Sequence, residues 1–187
     1  MLTCPLGNGE CLRLFEESDV DELYAVVAAN RDYLSRWMPW APKQTPEGTL
    51  EFIRAGRRQL ADNQGLQLAI IRSGAIVGGS GYHRIDWDSR STTIGYWIAE
   101  KAQGSGTVTR AAEALTDNAF RAWKLNRVEI HAGAENRRSR AIPERLGFVR
   151  EGVLRQAELV GRRYVDHVVY AMLADEWSRP PGHHPST

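Results

Sequence analysis

Residues 97–110 read WIAEKAQGSGTVTR, and within this span a strand stops, a glycine bend follows and a helix begins. The apolar run ends at Ala99, and Gln103-Gly104-Ser105-Gly106 turns the chain. From Ser105 to Trp123 the apolar positions Val108, Ala111, Ala112, Leu115, Ala119 and Phe120 recur at helical spacing. The first turn of such a helix has unpaired N–H groups and a partial positive charge, and glycines without side chains let a phosphate approach closely. A diphosphate suits that chemistry. Neither common nucleotide fingerprint is present, because a Rossmann turn wants a third glycine where Thr109 stands and a P-loop wants Gly-Lys-Ser/Thr. By itself a Gly-x-Gly bend is more often only a helix start.

Upstream of the bend, residues 66–72 and 75–86 flank Ser73-Gly74 as a hairpin, and residues 92–99 add a third strand of an antiparallel meander. Downstream, Val128, Ile130 and Ala132 alternate with polar neighbours as a strand, and a short helix ends at Leu146 before Gly147. Two closing strands over 148–159 and 164–173 join across Gly161. Toward the N-terminus, residues 10–15 read as the first strand. Ser18 opens a helix whose face carries Val20, Leu23, Tyr24 and Val27. Thr45-Pro46-Glu47 supplies a cap, a first-turn proline and an acid for a second helix ending near residue 62. The order strand, two helices, three strands, helix, strand, helix, two strands predicts a single α+β domain over residues 1–177. Residues 178–187 are too polar and proline-rich to pack and read as a flexible tail.

The composition narrows the function classes. A chain of 187 residues with 42% hydrophobic and 25% charged residues is globular, and a formal charge of +1 gives no global field to draw it to nucleic acid or an acidic membrane. No segment reaches the length of a membrane span. Cys4 and Cys11 lack metal spacing and suit free thiols, so a cytoplasmic location is expected. His83, His131 and His167 lie on separate strands without ligand spacing, and no metal is expected.

Gln103-Gly104-Ser105-Gly106 resembles the Gln/Arg-x-x-Gly-x-Gly/Ala signature of the GNAT-superfamily N-acetyltransferases, placed between the fourth strand and the next helix as that family has it. Ile94-Gly95-Tyr96-Trp97-Ile98, Asn136-x-x-Ser139 and Leu146-Gly147-Phe148-x-x-Glu151-Gly152 are similar to its RimL/RimJ branch, which acetylates N-terminal amines of ribosomal proteins. The resemblance implies a twisted, mostly antiparallel mixed sheet of about seven strands flanked by helices and splayed between its fourth and fifth strands. It implies acetyl-CoA as acyl donor, direct transfer to a primary amine and a homodimer among the open assemblies. Val108 departs from the small residue of the broad signature. Pro143 stands where many members carry a tyrosine general acid.

Residue by residue, the resemblance implies that Glu158 is the general base and Ser139 the donor that reprotonates the departing thiolate. It also places the donor's pantetheine arm on the backbone of Trp97, Ile98 and Ala99. Its diphosphate falls on Gln103, Gly104, Ser105, Gly106, Thr107, Val108 and Thr109, with Asn136 and Arg140 beside them. Trp37, Trp40, Tyr82 and Tyr96 are candidates for the acceptor groove. Ser139 has a second reading as the cap of its short helix, since Pro143 is best accommodated in a first turn beginning soon after it. An α-amine titrates near 8 and a lysine near 10.4, so freeing lysine at neutral pH costs roughly 3 kcal/mol more. A single glutamate base therefore matches an N-terminal α-amine. A small-molecule amine acceptor and a non-catalytic acyl-CoA-binding protein are the competing readings.

Overall fold

The computed structural model describes residues 3–177. Eight strands form one sheet in the order β1-β2-β3-β4-β5-β6-β8-β7. These are β1 (Thr3–Gly7), β2 (Glu10–Leu14), β3 (Leu66–Arg72), β4 (Ala75–Asp86), β5 (Ser91–Ile98), β6 (Arg127–Gly133), β7 (Val149–Val160) and β8 (Arg163–Leu173). The helices are α1 (Val20–Ala29), α2 (Arg31–Leu34), α3 (Pro46–Ala61), α4 (Thr107–Asp117) and α5 (Arg137–Leu146). The meander β3-β4-β5 and the closing hairpin lie where the alternation of side chains places them. The expected tail at 178–187 falls outside the described residues.

Three expectations are corrected at the ends of elements. A strand, β1, precedes the first expected one. Its Pro5 and Gly7 argue against a strand interior, but β1 is the sheet's edge, where a proline's missing N–H faces no partner. The first helix starts at Val20 rather than Ser18, because Glu16 caps a preceding 3-10 turn through a reciprocal box with Asp19. The helix expected to reach Trp123 runs as α4 to Asp117 and then loosens into a π-type turn over Asn118–Ala122.

The splay falls between β5 and β6, the only parallel pair among the described residues. Their register extends only from Ser91↔Arg127 to Thr93↔Glu129, after which the strands part. One face of the sheet packs α4 and α5 over a core that includes Leu68, Tyr82, Ile94, Leu115, Val128, Ile130 and Tyr170. The opposite face of the N-terminal half packs α1 and α3 over Phe15, Leu23, Val27, Ile53 and Ile71. Between these covers, the C-terminal halves of β5 and β6 are left apart, and the gap opens beside the glycine bend.

Candidate active site

Beyond Ile98 the chain makes a 3-10 turn over Glu100–Ala102 and then the bend at 103–106. Gly104 and Gly106 there hold φ of 82° and 77°, the left-handed region that side chains disfavour. Gly106 is the N-cap of α4 and offers no capping side chain. The first-turn N–H groups therefore remain open to a ligand. The bend lines one end of a cleft of about 820 Å³ whose walls also include Tyr33, Trp37, Tyr96, Ile98 and Ser139. Arg110, Arg138 and Arg145 line it too. Arg138 donates to Gln103 Oε1 at 2.5 Å and Arg145 to Thr109 Oγ1 at 3.0 Å. Among the described residues, Gln103 Nε2 and Arg110 Nε are buried without a hydrogen-bond partner. Open N–H groups, guanidinium groups and orphaned donors together fit a diphosphate.

The bend is bolted to the sheet from below. Glu10 on β2, its side chain 3% exposed, accepts from Thr107 Oγ1 at 2.7 Å, from Arg72 Nε at 2.9 Å and from Arg110 Nη2. Arg72 on β3 also donates to the Ala102 carbonyl at 3.1 Å and to the hydroxyls of Ser105 and Thr107. Arg110 donates to the Ser105 carbonyl at 3.0 Å. Burial pushes the Glu10 carboxyl up, but the bonds from Arg110, Thr107 and Arg72 outweigh it and hold it below the usual carboxylate range.

The wall of the gap is the free edge of β5. The Ala99 N–H donates to the Val77 carbonyl at 2.8 Å, and Trp97 pairs with Gly79. By the alternation of an antiparallel ladder, the amide groups of Trp97 and Ala99 point to β4 and those of Tyr96 and Ile98 point into the gap. Of the strand residues expected to meet an extended arm, Ile98 thus has the free backbone groups.

Across the gap stands α5, and here the structure removes the reading of Ser139 as the helix cap. Asn136 is the N-cap, accepting from the Ser139 N–H at 3.1 Å, so Ser139 is not the cap. Pro143 lies in the helix interior, not in its first turn. Having no N–H, it leaves unpaired the carbonyl four residues back, that of Ser139. The Tyr96 hydroxyl donates to that carbonyl at 3.0 Å, and the Ser139 hydroxyl donates to Tyr96 Oη at 3.3 Å. Burial holds the Tyr96 phenol well above its ordinary value, against the pull of Ser139. Two protonated hydroxyls thus meet on the cleft wall.

Glu158 does not line the cleft, and a distortion of β7 sets its position. Leu154 pairs with His167 and Glu158 with Val165, so β7 spends four steps where β8 spends two. An unbroken ladder would set Glu158 two residues farther along β8, about 6.6 Å away. The bulge instead leaves Glu158 Oε2 3.3 Å from His167 Nε2. His167 pairs with Gly133 on β6, and a side chain at Gly133 would lie 3.6 Å from the ring of Trp37, a wall of the cleft. On the same face His131 meets Glu129 at 2.7 Å. The His83 imidazole is held below its ordinary value, first by loss of solvent and then by His131, against a smaller pull from Glu158.

Several expected residues lie elsewhere. Tyr82 is wholly buried, its hydroxyl donating to the Leu115 carbonyl at 2.5 Å, and contributes to the core rather than the acceptor groove. Trp40 meets Trp97 edge-on, ring centres 5.9 Å apart, and backs that residue without lining the cleft. Ser105 and Ala99 are consumed by Arg72 and Val77. Arg140 turns away to the Tyr170 hydroxyl and the Ala134 carbonyl, both at 3.0 Å. Arg138, Ile142 and Arg145 line the cleft in its place, and their i, i+4, i+7 spacing is a readable signal of one helix face. Glu10 carries no such signal, since its arginines are 62 and 100 positions away. Trp37, Trp97, Gln103, Gly104, Gly106, Thr107, Val108, Thr109 and Asn136 do line the cleft. Among the described residues no cluster of three or more His, Cys, Asp or Glu is arranged to hold a metal, and no helix is long and apolar enough to cross a membrane.

A family model described as an acetyltransferase (GNAT) domain matches residues 11–149. The chain is 35% identical to YdaF of Bacillus subtilis (strain 168), provisionally named a ribosomal N-acetyltransferase, over 95% of this chain and 98% of that one. It is 27% identical to the ribosomal-protein-serine acetyltransferase of Escherichia coli (strain K12), over 88% and 92% of the two chains. Among solved structures, RimL, a ribosomal L7/L12 alpha-N-protein acetyltransferase in complex with coenzyme A, superposes with a TM-score of 0.89 at 25% identity, covering 94% of this chain and 99% of that one.

Proposed function

This chain belongs to the acetyltransferase (GNAT) domain family and is an acetyl-CoA-dependent N-acetyltransferase, and from that premise we propose that its acceptor is the N-terminal α-amine of a protein. The observation that carries the proposal is the bulge that sets the Glu158 carboxylate beside His167, which pairs with Gly133 on β6, one side of the splay. A lone carboxylate base is matched to an amine titrating near 8 and poorly matched to one above 10. The named activities of the relatives point the same way.

In this reading the open N–H groups of the α4 first turn, with Gln103 and Arg138, hold the diphosphate, and the Ile98 backbone aligns the arm along β5. Bound acetyl-CoA supplies the activated acyl group. Glu158 takes a proton from the α-ammonium, and His167 holds the carboxylate in place. Ser139, with Tyr96 behind it, donates a proton toward the departing sulfur.

The test is steady-state thiol release with a Ser-starting peptide, its N-terminally blocked form carrying an internal lysine, and a panel of small amines. The free N-terminus is expected to give the largest kcat/KM. A greater value for a small amine or for the blocked peptide would overturn the assignment of the acceptor.

A further inference from the structure

A second recess of about 510 Å³ opens beside the cleft, lined by Ser35, Arg36, Trp37, Val160, Arg162 and Arg163. Trp37 lines both spaces, so one indole divides the region of acyl transfer from this recess. Its charge is one-sided. Arg163 meets Glu135 at 3.0 Å in a solvent-exposed pair, whereas among the described residues neither Arg36 nor Arg162 has an acidic partner. Three guanidinium groups against one carboxylate leave an excess of positive charge in the recess.

The recess is also stiff on one side. β7 and β8 are joined by only Gly161 and Arg162, with Val160 paired to Arg163 and Gly161 at φ 64°. A two-residue hairpin loop with glycine at its first central position has little freedom, so the backbone bearing Arg162 is held in place before any ligand arrives. Val160 lies two residues beyond Glu158 on the same face of β7, about 6.8 Å along the strand. An extended peptide advances roughly 3.3–3.6 Å per residue. A chain whose amine sits at Glu158 and which passes Trp37 therefore brings its second or third side chain to the arginines.

We propose that this recess binds a carboxylate side chain at the second or third position of the acceptor, making acidic N-terminal segments the preferred substrates. The inference rests on the N-terminal reading of the acceptor and adds the sequence class it selects.

The experiment compares kcat/KM for Ser-starting peptides with Asp and Glu at positions two and three against the same peptides with Asn and Gln, using the full chain and acetyl-CoA. The acidic peptide is expected to lead by about tenfold at low salt, the lead shrinking as ionic strength rises. In Arg36→Glu/Arg162→Glu the acidic-to-neutral ratio is expected to fall below one, and Arg162→Gln alone should give an intermediate ratio. Equal rates on both peptides in the parent chain overturn the inference and leave the N-terminal reading standing. So does a charge-reversed variant whose ratio stays near ten, or whose KM for acetyl-CoA rises as much as that for the acidic peptide. Turnover of small amines with none of either peptide overturns both readings.

Discussion

Pro143 explains the arrangement of hydroxyls around the cleft. It removes one donor from α5, the freed Ser139 carbonyl takes the Tyr96 hydroxyl, and the Ser139 hydroxyl turns to the same oxygen. Tyr96→Phe should strand that carbonyl at a cost of about 1–3 kcal/mol. Pro143→Ala returns an N–H to it, so in that background the same change should cost less than about 0.5 kcal/mol, a double-mutant cycle that denaturant titration can measure. Ser139→Ala is expected to lower kcat by about a hundredfold with the affinity for acetyl-CoA retained. Glu158→Gln should lower kcat by about 10²–10³ at pH 7, again with the affinity measured by calorimetry retained. Unchanged turnover would remove Glu158 from the chemistry. The sequence exposed Pro143 as a departure from the tyrosine pattern, but the consequence depends on a strand residue 43 positions from Ser139, which spacing along α5 cannot reveal.

At the scale of elements, the junction of β5 with α4 was legible because a glycine bend and a change from strand to helix period are local signals. What holds the bend was not. Glu10 sits on a short strand, and its arginines come from β3 and α4. Glu10→Gln should destabilise the fold by about 3 kcal/mol, since two guanidinium groups lose a buried partner. It should also weaken acetyl-CoA binding by about tenfold, because the bend loses its strut. The carboxyl is held below its ordinary value. Its stabilisation is therefore fully present above that value and is lost as pH falls through the lower folded value. Thermal unfolding of the parent chain between pH 5 and 3 should show this loss, and that of Glu10→Gln should show less of it. Equal slopes would refute the strut.

For the molecule as a whole, the decisive feature is the parting of β5 from β6 after a three-residue register. A ligand that bridges the gap should stabilise the fold. At a hundred times its Kd, acetyl-CoA is expected to add about 2.7 kcal/mol and raise Tm by roughly 5–10 °C, read by differential scanning calorimetry. Coenzyme A lacking its adenosine diphosphate half should give little of that rise, because the donor-rich bend would go unfilled.

The sequence by itself determined the order of the strands from β2 onward, the meander, the glycine bend and the helix behind it, because each is written in local periodicity and turn chemistry. It also placed Glu158 and Ser139 among the residues to watch, through their resemblance to a known pattern. Only the tertiary structure decided which neighbours face the cleft. It buried Tyr82, turned Arg140 away, set Glu10 under the bend and Tyr96 against Ser139, and put the β7–β8 turn at the recess that shares Trp37 with the cleft. The physical reason is that side-chain direction across a splayed sheet depends on register, a bulge and long-range pairing, and none of these is encoded within one short stretch of chain.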